Sequence, residues 1–167
     1  MARLIQIIAS LAFSVGLLVA GWALSPAPAL AIETAAKQAL IVDFQTGTIM
    51  LEKNADEPIH PASMSKLMTL YLVFDQLKQG RIRLEDALPV SEKAWALREG
   101  SKMFVGINSR IPLEDLIRGI VVQSGNDACV VVAEALAGSE EAFVEQMNKK
   151  AQEIGLTRTH FVNSHGL

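Results

Sequence analysis

Ser63 and Lys66 are the first residues whose types and spacing could support a reaction. A serine three residues before a lysine places both side chains on one face of a helix. A serine hydroxyl is a weak nucleophile that needs a base, and a lysine desolvated by apolar neighbours can lose enough basicity to serve as one. The pair therefore predicts nucleophilic attack by Ser63, with two common surface residues at a chance spacing as the alternative.

A second candidate is the turn Ser124-Gly125-Asn126, which follows Ser63 by 61 residues. A hydroxyl and a carboxamide two positions apart on a tight turn can point the same way, so they could relay a proton and hold a substrate amide. The alternative is an ordinary turn followed by a helix cap. Together, the two patterns resemble two of the three motifs of serine β-lactamases and penicillin-binding proteins, with Gly125 in place of the aspartate of the second motif.

The elements that must position these residues follow from hydrophobic periodicity and capping signals. Strands over 39–44 and 48–52 flank a loop that contains Gly47, which predicts a hairpin. The segment 63–77 is apolar on most sides of a helix that ends at Gly80, which predicts a helix buried in the middle of the domain. Further helices are predicted over 91–97, 112–122, 127–137 and 140–154, with Ser91 and Ser139 as caps, and a small second hairpin over 102–105 and 109–111.

The N-terminal residues have the features of an export signal. Arg3 provides a charged start, residues 4–24 carry no charge, and Ala29-Leu30-Ala31 is a cleavage site of the A-x-A type. We therefore expect residues 1–31 to be a cleaved signal peptide, with a membrane anchor as the alternative. The remaining chain, 32–167, would then work outside the cytoplasm.

The composition excludes several classes of protein. Hydrophobic residues make up 50% of the 167 residues and charged residues 20%, which is unlike a disordered or collagen-like chain. The net charge of −3 comes without a basic stripe, which argues against nucleic-acid binding. The histidines His60, His160 and His165 show no metal-ligand spacing, so no metal site is expected. Cys129 is the only cysteine, so the chain can form no internal disulfide.

A specific resemblance now emerges from several blocks in order. Pro61-Ala62-Ser63-Met64-Ser65-Lys66-Leu67-Met68-Thr69 resembles the active-site block of D-alanyl-D-alanine carboxypeptidases, the low-molecular-mass penicillin-binding proteins. The segment 122–129 resembles that family's second motif, with Gly125 where β-lactamases have aspartate. The segments 100–105 and 159–167 resemble further family blocks, and the whole resemblance extends over 35–167. It implies an α/β fold of the α+β type, β-lactamase/transpeptidase-like, with an N-terminal hairpin and a helical subdomain.

The resemblance also implies roles for the candidate residues. Ser63 would attack the peptide bond between two D-alanines of a cell-wall stem peptide, and Lys66 would accept its proton. Ser124 would relay that proton to the leaving amine, and Asn126 would bind a backbone amide of the substrate. The implied partners are peptidoglycan stem peptides and β-lactam antibiotics, the implied location is the periplasm or cell envelope, and neither a metal nor an organic cofactor is implied.

One family motif does not occur in this sequence. No Lys-Thr-Gly or Lys-Ser-Gly triplet is present in the 167 residues. In the family this triplet lies on a central strand, and a small β domain and a membrane-anchoring tail follow it. The resemblance thus implies that 32–167 is the N-terminal part of a catalytic domain, with the later sheet strands missing. Membrane association is expected only through the missing anchor, and the isolated chain is expected to be inactive because one oxyanion donor alone is worth two to three orders of magnitude in rate.

Three alternatives to the carboxypeptidase stay open. A D,D-endopeptidase would cut peptidoglycan crosslinks with the same residues. A class A β-lactamase fits less well, because Gly125 replaces the aspartate of its second motif and no deacylating glutamate motif is evident. A non-catalytic muropeptide-binding or scaffold protein could keep the same fold without using Ser63.

Overall fold

The computed structural model describes residues 33–167, which form two compact units. The first unit ends at Glu57, and the second comprises Pro58–Leu167. The predicted signal peptide over 1–31 lies outside the described residues. Within residues 33–167, no helix is both long and apolar enough to cross a bilayer.

The first unit contains the predicted hairpin. Strand β1 (Ala39–Val42) pairs antiparallel with strand β2 (Ile49–Lys53), and a bulge interrupts the register between Ile41 and Val42. The Asp43 carboxylate closes the loop, because its Oδ1 accepts hydrogen bonds from the Thr46 backbone N–H at 2.7 Å and from the Thr46 hydroxyl at 2.6 Å. Gly47 follows with φ +71°, a conformation that favours glycine. The hydrogen bonds of Asp43 and the left-handed conformation of Gly47 therefore favour the turn that connects β1 and β2.

The second unit consists of helices and one small sheet. Its elements are a 3-10 turn (Ala62–Ser65), α1 (Lys66–Lys78), β3 (Ala87–Pro89), α2 (Glu92–Ala96), β4 (Arg110–Pro112), α3 (Leu113–Gln123), α4 (Asn126–Ala137) and α5 (Glu140–Glu153). Both predicted caps are confirmed, since Ser91 accepts the N–H of Ala94 and Ser139 accepts the N–H of Ala142, each at 3.1 Å.

Helix α4 is the centre of the second unit. Residues 128–133 are each at most 1% exposed, and the helix contacts α1, α2, α3, α5 and β3. Its small alanine, cysteine and valine side chains let the surrounding helices approach closely. The prediction that the helix after Ser63 is buried all round is wrong for the described residues, because Leu67, Tyr71 and Phe74 on α1 are exposed.

The predicted second hairpin is also wrong. Residues 102–105 form no strand, and β4 pairs instead with β3, so that Leu88 lies opposite Ile111. The cause is Asp127 on α4, whose carboxylate accepts the N–H groups of Met103 at 2.9 Å and Val105 at 3.1 Å. The N–H groups that a strand would use for pairing are thereby committed to a buried side chain.

The segment after α5 packs against helices α1 and α5. The Asn148 side chain holds Phe161 from both sides, accepting its N–H at 2.8 Å and donating to its carbonyl at 2.9 Å. The Phe161 ring packs with Phe143 and Met147 in a core cluster that also includes residues of α1. This anchoring brings residues 163–166 against the first turn of α1.

Candidate active site

Three of the four predicted site residues come together around the Ser63 hydroxyl. Ser63 lies in the exposed 3-10 turn that leads directly into α1. The Lys66 amine donates to Ser63 Oγ at 2.9 Å, and the Ser124 hydroxyl donates to the same atom at 3.0 Å. An amine and a second hydroxyl are thus each within hydrogen-bond distance of the Ser63 hydroxyl, which is the geometry expected of a serine nucleophile with a neighbouring base.

Lys66 is buried although it carries an amine. Only 4% of the residue is exposed, and no ion pair found within residues 33–167 includes it. Burial lowers the pKa of Lys66 from its ordinary value. The nearby Cys129 thiol offers no opposing charge at neutral pH, because burial raises its pKa to about 12. Desolvation therefore favours the neutral amine, the form that can accept a proton from Ser63.

Ser124 reaches Ser63 from the end of α3. It is the C-terminal cap of that helix and has φ +56°, a left-handed conformation that is uncommon for residues other than glycine. The next residue, Gly125, passes close to the chain at Met103, since a Cβ on it would lie 3.2 Å from the Met103 backbone nitrogen. The turn thus brings α3 and α4 together with the Ser124 hydroxyl directed at Ser63.

Asn126 belongs to the same turn but contacts a different segment. The residue is 2% exposed, its side-chain nitrogen donates to the Glu99 carbonyl at 3.0 Å, and its backbone N–H donates to the Ser101 carbonyl at 2.8 Å. Gly100 allows this approach, because a Cβ there would overlap the Asn126 side-chain nitrogen. Asn126 therefore anchors the 99–101 loop beside the motif.

The sequence prediction missed a second set of contacts to the first turn of α1, made by the carbonyls of residues 164 and 165. The Lys66 amine donates to the carbonyl of His165 at 3.0 Å, and Thr69 donates to the carbonyl of Ser164 at 2.6 Å. The imidazole of His165 is neutral at pH 7, because burial lowers its pKa and outweighs the opposing effect of Glu140. No spacing rule could link residues 99 positions apart, and only the family block at 159–167 marked this segment.

No cluster of three or more His, Cys, Asp or Glu side chains within residues 33–167 could hold a metal ion.

Comparison with known proteins identifies relatives that are similar to this chain in sequence and in fold. The family model of D-alanyl-D-alanine carboxypeptidases matches residues 24–167. The D-alanyl-D-alanine carboxypeptidase DacC of Escherichia coli is 42% identical over 133 residues, which cover 77% of this chain and 33% of the relative. DacF of Bacillus subtilis is 42% identical over 132 residues, which cover 79% of this chain and 34% of the relative.

A solved structure agrees with these sequence matches. Penicillin binding protein 5 from Haemophilus influenzae superposes with a TM-score of 0.79 at 40% identity, covering 83% of this chain and 41% of that chain. The chain spans about a third of the length of the two curated relatives it matches.

Proposed function

Because this chain belongs to the D-alanyl-D-alanine carboxypeptidase family, we propose that Ser63 is the acyl-ester nucleophile of a serine D,D-carboxypeptidase. The observation that carries the proposal is the Ser63 hydroxyl shared between the Lys66 amine at 2.9 Å and the Ser124 hydroxyl at 3.0 Å. The substrate is the D-Ala-D-Ala terminus of a peptidoglycan stem pentapeptide, and the site of action is the periplasm or cell envelope.

Acylation requires two proton transfers, one from the Ser63 hydroxyl to Lys66 and one to the leaving nitrogen. The neutral Lys66 amine takes the proton from Ser63 as Oγ attacks the carbonyl carbon of the D-Ala-D-Ala peptide bond. The proton then passes through the Ser124 hydroxyl to the leaving nitrogen, the C–N bond breaks and the terminal D-alanine departs. Burial prepares this step because it lowers the pKa of Lys66, and a positioned acid–base group is typically worth 10²–10⁴ in rate.

Hydrolysis completes the cycle with the same groups. Water gives a proton to the Lys66 amine as it attacks the ester carbon. The ester C–O bond then breaks, Lys66 returns the proton to the Ser63 oxygen, and the tetrapeptide acid departs. The Ser63 backbone N–H lies in the first turn before α1, where it can donate to the oxyanion of both tetrahedral intermediates. Asn126 is proposed to bind a backbone amide of the stem peptide. Its side-chain nitrogen bonds to Glu99 in this structure, so the substrate amide would meet the carboxamide oxygen.

The same chemistry predicts covalent inhibition by penicillin. Attack on the β-lactam carbonyl breaks the ring C–N bond, but the leaving nitrogen stays tethered to the acyl group. It therefore cannot depart as D-alanine does, and the ester on Ser63 persists. β-Lactams are thus proposed as ligands of the same site.

The test is the mass of the protein purified from its native cells, before and after incubation with benzylpenicillin. We expect one penicillin adduct on Ser63, found by peptide mapping, and none in the Ser63→Ala variant. Ser109→Ala is the matched control, because Ser109 bonds within its own turn to the Gly106 carbonyl. A wild-type protein that gains no adduct would overturn the proposal.

Substrate preference separates the carboxypeptidase from the D,D-endopeptidase. A carboxypeptidase releases free D-alanine from a monomeric pentapeptide, whereas an endopeptidase converts a crosslinked dimer to monomers. Faster turnover of the dimer would replace the proposed activity while keeping the roles of Ser63 and Lys66. Rapid turnover of penicillin would indicate a β-lactamase instead.

A further inference from the structure

Two hydrogen bonds hold the Lys66 amine in place, one to Ser63 and one to the backbone of His165. A lysine side chain has four rotatable carbon bonds, so a single contact to Ser63 would leave it free to sample other positions. The second contact is the His165 carbonyl oxygen at 3.0 Å. The position of that oxygen therefore decides whether the amine faces Ser63.

Ser164, the residue before His165, is held in place because all three of its polar groups are bonded. It is fully buried, its N–H and its hydroxyl donate to Glu140 Oε1 at 3.0 Å and 2.7 Å, and its carbonyl accepts from Thr69 at 2.6 Å. Thr69 lies three residues after Lys66 on the same face of α1. Helix α1 and Glu140 thus hold the 164–165 peptide. The next peptide carries the His165 carbonyl, and its Gly166 N–H donates to Asn163 Oδ1, so the His165 carbonyl is oriented from the held Ser164.

Glu140 is itself firmly placed. It is the first residue of α5, where the capped helix N-terminus favours a negative charge, and it is 8% exposed. Its other carboxylate oxygen pairs with Lys93 at 3.0 Å. Burial raises the pKa of Glu140, but the hydrogen bonds from Ser164 and Lys93 outweigh burial and hold the pKa below its usual value. The carboxylate is therefore ionised at neutral pH and accepts bonds through both oxygens.

We propose that Glu140 is a positioning residue of the active site. It acts through Ser164, holding the His165 carbonyl where that carbonyl keeps the Lys66 amine against Ser63. Glu140 touches neither substrate nor the reacting atoms. The proposal rests on the function proposed above, since it assigns Glu140 to the reaction in which Lys66 is the base.

Two substitutions separate the effect of the length of the Glu140 side chain from the effect of its charge. Glu140→Gln keeps an oxygen at the same distance, so it can still accept both bonds from Ser164, although it loses its charge opposite Lys93. Glu140→Asp keeps the charge but withdraws the carboxylate by about one carbon–carbon bond, roughly 1.5 Å, which removes it from Ser164. Glu141→Ala is the matched control, because Glu141 also pairs with Lys93 at 2.9 Å but its side chain is 75% exposed and does not contact Ser164.

The readout is acylation of the native protein by benzylpenicillin, resolved into the dissociation constant of the first complex and the limiting acylation rate constant. We expect Glu140→Asp to lower the rate constant about 10- to 100-fold, since misplacement by about 1 Å can cost a factor of 100. The dissociation constant should change less than about threefold, Glu140→Gln should retain the rate constant within about threefold, and Glu141→Ala should match the wild type. A larger loss in Glu140→Gln than in Glu140→Asp would overturn the proposal, and so would a wild-type rate in Glu140→Asp.

Crystal structures of the same variants give a readout that does not depend on activity. The distance from the Lys66 amine to the His165 carbonyl should stay near 3.0 Å in Glu140→Gln and exceed hydrogen-bond range in Glu140→Asp. An intact contact in Glu140→Asp would overturn the positioning role. A wild-type protein that penicillin does not acylate would refute the proposed function instead, and the two failures are thereby distinguishable.

Discussion

Replacing Gly166 by alanine probes how tightly the C-terminal segment packs against the Ser63 turn. Gly166 has φ +89°, and a Cβ on it would overlap the Ala62 carbonyl oxygen and lie 2.6 Å from the Ala62 carbonyl carbon. Ordinary contact begins at 3.4 Å, so one of the two backbone segments must retreat by at least about 0.8 Å to clear the carbon, and by more to clear the oxygen. Since Ala62 precedes Ser63 and Gly166 follows His165, either movement displaces an atom that contacts Lys66.

We expect Gly166→Ala to change both the free energy of unfolding and the acylation rate. An alanine with positive φ costs about 1–2 kcal/mol in the free energy of unfolding, and overpacking adds about 1–3 kcal/mol. The displacement is at least comparable to the 1 Å that can lower a reaction rate about 100-fold. We therefore expect Gly166→Ala to be destabilised in urea unfolding and to react with penicillin about 100-fold more slowly.

Gly155→Ala is a matched control for this experiment. Gly155 has φ +84°, but a Cβ there meets no atom within 4 Å. It therefore carries the same backbone strain without the collision, and it should lose about 1–2 kcal/mol of stability while acylating at the wild-type rate. Equal stability and equal acylation rates in the two variants would refute the packing argument.

Three further predictions concern the site and its support. Acylation by penicillin should rise with pH and level off above a pKa lower than that of a free lysine, because burial lowers the pKa of Lys66 and only the neutral amine accepts a proton; a rate that falls from neutral to alkaline pH would contradict this. Ser124→Gly should reduce the acylation rate constant about 10²–10⁴-fold, since glycine keeps the left-handed backbone of residue 124 but has no hydroxyl to carry the proton. A near wild-type rate in that variant would remove Ser124 from the proton path. Asp127→Ala should lower the free energy of unfolding by about 2–4 kcal/mol, measured in urea, because the N–H groups of Met103 and Val105 lose their acceptor. Asp115→Ala, at a half-exposed carboxylate, should change it by less than about 0.5 kcal/mol.

Features that depend on neighbouring residues could be predicted from the sequence. Ser91 and Ser139 stand at the first positions where an N-cap is expected, and both form the expected bond. The loop of the first hairpin follows from Asp43, Thr46 and Gly47, which close it by short-range bonds. Such signals involve residues at most a few positions apart, so the sequence contains all the information they need.

Features that depend on distant residues could not be predicted in this way. The pairing of β4 with β3 is set by Asp127, which lies outside both strands and takes the N–H groups of the segment expected to pair. The central position of α4 depends on which helices surround it, and no single helix encodes that information. Similarly, the motif residues Ser63 and Ser124 stand out in the sequence by residue type and spacing, whereas Glu140 belongs to no motif and is visible only through its bonds to Ser164.

The single cysteine gives this protein an internal reporter of its own unfolding. Cys129 lies in the fully buried stretch of α4 beside the lysine, and its pKa of about 12 keeps the thiol protonated at physiological pH. Thiol-specific reagents attack the thiolate and need access to it, so they should react only when α4 is exposed. The labelling rate therefore measures how often the core opens, and an acyl group on Ser63 that tightens the site should slow it.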